Sequence, residues 1–91
     1  MVKNFRFVEP GQIALSGVPE TPEEVPWLRK QGVGAVVSLH PVSEEVAAAF
    51  RQQGVAHLAY PVRDFSDPLP ADLADLAAFI AAHRSSGVLI H

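Results

Sequence analysis

The sequence predicts an α/β protein with a central, mainly parallel sheet, an N-terminal hairpin and flanking helices. Three observations carry that expectation. The first is a unit of helical stretch, glycine, valine and short apolar run that occurs three times, across residues 27–39, 49–60 and 82–90. Gly32, Gly54 and Gly87 fall where a helix C-terminus takes a residue at positive φ, and basic side chains (Arg29 and Lys30, Arg51, Arg84) precede each in the last turn. The second is the character of the runs that follow, which are short and rich in Val, Ile and Leu, as buried parallel strands are. The third is Pro10-Gly11 at the centre of a turn between two short apolar segments, a hairpin signal. The three units are not a solenoid, because the pieces between them differ.

Taken in order, Phe5-Arg6-Phe7-Val8 and Ile13-Ala14-Leu15 flank the turn Glu9-Pro10-Gly11-Gln12. Thr21-Pro22-Glu23-Glu24 combines a capping threonine, proline and glutamate at a helix start. Pro26 lies far into that helix, so a start nearer Glu24 suits it better. Ser43-Glu44-Glu45 caps a second helix through about Gln53, with Val46, Phe50 and alanines on its inward face. A third helix is expected from about Ala71 to Ser85, with Leu73, Leu76, Ala77, Phe79 and Ile80 inward and Asp72 and Asp75 near its positive N-terminal end. Parallel strands with right-handed crossovers follow from this order.

At 91 residues the chain has room for one domain. Although 48% of residues are hydrophobic, no apolar run approaches the roughly 20 residues of a membrane span. The start Met1-Val2-Lys3-Asn4 lacks the features of a signal peptide, so a cytoplasmic, monomeric protein without a membrane partner is the expectation. A net charge of −3, with seven scattered basic residues, argues against a nucleic-acid partner. There are no cysteines, which excludes disulfides and cysteine-based metal sites within these residues. Four histidines show no metal-ligand spacing, and no glycine-rich nucleotide loop or serine elbow is present, so neither a metal nor a cofactor is expected.

In such sheets, chemistry gathers beyond the carboxyl ends of the strands. Those ends are Leu39-His40-Pro41, Tyr60-Pro61-Val62-Arg63-Asp64 and Ile90-His91. Asp64 and Asp67 sit in a loop bounded by Pro61, Pro68 and Pro70. Either aspartate suits a general acid held beside a leaving-group oxygen, and either equally suits a solvated turn. His91 ends a buried strand at the active edge, where it is a site residue or a core histidine. His40 suits a substrate contact or an ordinary surface loop, and Trp27 reads as core.

These features resemble the small atypical dual-specificity phosphatases of the cysteine-dependent protein tyrosine phosphatase superfamily. The likeness rests on Asn4-Phe5 with Pro10-Gly11, Gly32-Val33 before Val36-Val37-Ser38-Leu39, the segment Pro61 to Phe65 with its proline-rich sequel, and Val88-Leu89-Ile90-His91. The last of these is similar to the strand entering the loop His-Cys-five residues-Arg. The resemblance implies a phosphotyrosine-phosphatase-like fold whose C-terminal part is missing, residues 1–91 being the N-terminal portion of one catalytic domain. It implies hydrolysis of phosphotyrosine or phosphoserine/threonine monoesters through a phosphocysteine. Asp64 takes the position of the general acid, with Asp67 as the fallback. His91 takes that of the histidine before the nucleophile, and Phe65 and Asp67 border the substrate. The substrate class implied is a phosphorylated protein or a small phosphomonoester. The chain departs from the family in lacking the nucleophilic cysteine and the phosphate-binding arginine, and as written it should be inert. Two other readings stand beside this one: a non-catalytic phosphatase-like binding module, and a rhodanese-like sulfurtransferase, which leaves the Asp64 loop unexplained.

Overall fold

The computed structural model describes residues 2–59 and 73–91. Within them the chain runs β1 (Arg6–Glu9), β2 (Ile13–Leu15), α1 (Glu24–Lys30), β3 (Ala35–Ser38), α2 (Glu44–Gln52), β4 (Ala56–Ala59), α3 (Leu73–His83), a 3₁₀ turn (Arg84–Ser86) and β5 (Val88–Ile90). The five strands form one sheet in the order β1-β2-β5-β3-β4. Only the β1/β2 pair is antiparallel; β2/β5, β5/β3 and β3/β4 are parallel. The last strand therefore enters the middle of the sheet.

The hairpin forms as its sequence dictates. Gln12 N–H donates to the Glu9 carbonyl at 2.9 Å across a turn with Gly11 at φ +72°. Proline then glycine at the two central positions is the type II pattern. Ser43 caps α2 as expected, its Oγ accepting from Val46 N–H at 3.2 Å. Helix α1 starts at Glu24, and its N-cap is Glu23 rather than Thr21, with no side-chain cap. Instead the Glu24 carboxylate reaches back to the backbone N–H groups of Glu20 and Thr21, at 2.9 and 3.1 Å. Pro26 is tolerated because it falls in the first turn, where its missing N–H would have had no helical partner.

Alternation along the strands divides the core in two. One face sets Ala14, Val36 and Leu89 against Val25 and Leu28 of α1 and Val46, Ala49 and Phe50 of α2, with Phe5, Phe7 and Trp27 packed at its border. The other sets Ala35, Val37 and Val88 against Leu76, Phe79 and Ile80 of α3. Ala77 is exposed, contrary to the sequence expectation, because the buried stripe of α3 follows residues 76, 79 and 80. No helix among the described residues is long and apolar enough to cross a membrane.

Candidate functional site

Strand register brings three polar side chains to one place at the carboxyl edge. Val36 pairs with His57 and Val37 with Ile90. One residue further on, His91 N–H donates to the Val37 carbonyl at 3.1 Å, and Leu39 N–H donates to the His91 carbonyl at 2.9 Å. His91 thus continues β5 and stands opposite Ser38. Because side chains alternate, Ser38 shares a face with Val36, and His91 shares it with Leu89. This is the face covered by α1 and α2.

The Ser38 hydroxyl lies 2.7 Å from His57 Nε2 and 2.6 Å from His91 Nε2. Ser38 is 2% exposed and His91 7%. The His57 ring packs on Phe50, with centroids 4.8 Å apart. Burial lowers the His91 pKa from 6.5 to about 4, helped by the nearby His57 and His40. Burial also lowers the pKa of His57, with the Arg51 charge adding to the effect. Both rings are therefore held toward the neutral form, in which each imidazole has one donor and one acceptor nitrogen. His91 Nδ1 is buried without a hydrogen-bond partner among the described residues.

Ser38 and His57 also meet a groove of ≈ 330 Å³ that is walled by His40, Pro41, Val42 and Ala47. The groove places His40 beside the cluster, at the carboxyl edge where the sequence located it. Among the described residues, no three His, Asp or Glu side chains gather in a way that would hold a metal ion. Asp64, Phe65 and Asp67 lie outside the described residues.

Sequence reasoning marked His91 but passed over Ser38 and His57. One signal was present. Ser38 and His91 are polar residues at the carboxyl ends of two otherwise apolar runs, so parallel pairing aligns them. His57 had no such signal, because its approach depends on the register of β4 against β3.

No family model matches the chain, and neither does any curated protein. Solved structures do resemble it. A DUF442 protein from Shewanella putrefaciens CN-32, assigned as a phosphatase, superposes with a TM-score of 0.80 at 24% identity, covering 99% of this chain and 59% of that one. Tk-PTP in its active form gives 0.73 at 26% identity, covering 100% and 63%. TpbA of P. aeruginosa gives 0.65 at 24% identity, covering 96% and 57%. A cysteine-to-serine form of TpbA has been seen in complex with phosphotyrosine. The α/β sheet described above is therefore that of the protein tyrosine phosphatase-like folds. The chain spans about three-fifths of the length of these proteins.

Proposed function

We propose that this chain is part of a cysteine-dependent phosphatase of the dual-specificity kind, acting on phosphotyrosine or phosphoserine/threonine monoesters. The observation that carries the reading is His91, buried and neutral at the carboxyl end of the central strand, in a fold held in common with phosphatases. In this reading a cysteine follows His91 in a longer polypeptide. Its thiolate attacks phosphorus, the P–O bond to the substrate breaks, and Asp64 gives its proton to the departing oxygen. Water then attacks the phosphocysteine and releases orthophosphate, with Asp64 taking the water's proton. Asp67 is the alternative acid, and Phe65 borders the substrate. A second reading, a non-catalytic phosphatase-like binding module, draws on the absence of cysteine from the 91 residues.

The test is the mass and activity of the natural gene product. A polypeptide heavier than 9.8 kDa that hydrolyses aryl phosphates, resists chelators and is blocked by vanadate supports the phosphatase. Phosphopeptide binding without turnover selects the module, and sulfur transfer from thiosulfate to cyanide selects the sulfurtransferase. In an active product, Asp64→Asn should lower kcat on alkyl phosphates by about 10²–10⁴-fold, and less on aryl esters with good leaving groups. An undiminished rate on the alkyl ester excludes Asp64 as the acid.

A further inference from the structure

We propose that Ser38 and His57 are positioning residues for His91, holding its ring in the tautomer that carries the proton on Nδ1. The role and the choice of tautomer rest on the phosphatase reading given above, whereas the hydrogen-bonded cluster itself rests on geometry.

A serine hydroxyl has one proton to donate and lone pairs to accept with. At 2.7 and 2.6 Å, both imidazole Nε2 atoms are within hydrogen-bond distance of the same Ser38 Oγ. Both rings could donate only if the buried hydroxyl gave its own proton to a third acceptor, so within the cluster itself one ring donates to the hydroxyl and the other accepts from it. Two arrangements satisfy this. In the first, His57 Nε2–H donates to Ser38, and Ser38 O–H donates to His91 Nε2, so the His91 proton resides on Nδ1. In the second every direction is reversed, and His91 Nδ1 is a bare lone pair.

The surroundings favour the first arrangement. His57 is only half-buried and beside the groove, so its ring adjusts readily to whichever role the hydroxyl leaves it. His91 is enclosed, and its Nδ1 is the buried polar atom without a partner among the described residues. A site that handles an anionic group has use for a neutral N–H donor at that point. A second lone pair there would repel the anion. The chain of hydrogen bonds thus converts a half-exposed histidine on an edge strand into a fixed proton position on the central one.

Long-range ¹H–¹⁵N correlation spectra of the ¹⁵N-histidine-labelled protein read the tautomer directly. The expected result is a protonated Nδ1 and an unprotonated Nε2 on His91, with the opposite pattern on His57. Ser38→Ala and His57→Leu should each shift the His91 tautomer ratio by roughly tenfold toward Nε2–H. Ser38→Thr, which keeps the hydroxyl, and His57→Gln, whose amide N–H still donates, should restore it. A protonated Nε2 on His91 in the unmodified protein overturns the proposal, as does a ratio indifferent to both replacements. If Ser38→Ala fails to fold, the His57 pair decides alone. A correct tautomer in a product without phosphatase activity sinks the functional reading and leaves the positioning intact.

Discussion

At the scale of single residues, the structure turns a strand-end histidine into a group with a definite charge state. The free histidine pKa is near 6.5, whereas burial holds that of His91 at about 4. Between these values the unfolded chain binds a proton that the folded chain refuses. Stability contributed by the neutral ring is thus complete above pH 6.5 and is lost as pH falls toward 4. The lowered pKa of His57 acts in the same direction. For His91 alone the loss by pH 4 is on the order of 3 kcal/mol. Urea unfolding at pH 7 and pH 4.5 measures it, with His91→Phe as the control that removes the titrating ring and leaves the Ser38–His57 contact in place. The variant should lose less stability on acidification than the unmodified protein. Equal losses would show that the ring is not held neutral by burial. The position of His91 was legible in the sequence because a polar residue ended an apolar run. Its hydrogen-bond partner was not, since Ser38 is 53 residues away and the pairing arises only through the β3/β5 register.

At the scale of elements, local chemistry was legible and long-range pairing was not. The Pro-Gly hairpin, the Ser43 cap and the helix-glycine-strand units all come from interactions within a few residues of one another, so the sequence displays them. The insertion of β5 between β2 and β3 depends on contacts made across most of the chain, and no local signal announces it. Gly87 shows how the entry of that strand is secured. Its φ is +84°, and a Cβ there would overlap the Gly32 carbonyl oxygen, so backbone meets backbone where the turn after α1 approaches β5. Gly11 has a similar φ of +72° with nothing within 4 Å of a Cβ. The two glycines separate conformational cost from close approach. Gly11→Ala should cost about 1 kcal/mol, the left-handed backbone alone. Gly87→Ala should cost several kcal/mol more, because a backbone segment must move. Thermal unfolding distinguishes them, at roughly 4–8 °C per kcal/mol for a domain of this size. Similar melting shifts for the two variants would remove the close approach as the reason for glycine at position 87.

At the scale of the whole molecule, the sheet divides the described residues into a larger core cluster on one face and a smaller one on the other. On the α1/α2 side, eleven buried residues among those described form one cluster around Phe50, which is fully enclosed. On the α3 side, among the described residues, Ala35, Val37 and Val88 are buried in the sheet, and Leu76, Phe79 and Ile80 cover them while remaining partly exposed. The Ser38–His57–His91 cluster belongs to the α1/α2 side, where His57 packs against Phe50 itself. Among the described residues, the larger share of buried side chains thus lies beneath the polar cluster. A chain of 91 residues has a total stability of only about 5–14 kcal/mol, so the two core clusters should respond unequally to the same truncation. Phe50→Ala empties an enclosed site and should cost about 3–5 kcal/mol, enough to remove much of that total. Phe79→Ala exposes part of an already exposed face and should cost about 1–2 kcal/mol, since the ring has less contact to lose. Denaturant midpoints at constant m-value give both numbers. Because Phe50 supports the His57 ring, its loss should also disturb the His57 imidazole signals under conditions where the variant remains folded, whereas Phe79→Ala should leave them in place. Equal costs for the two truncations would mean that the layers share the core evenly. An undisturbed His57 in Phe50→Ala would mean that the hydrogen bond to Ser38 fixes the ring without help from the packing beneath it.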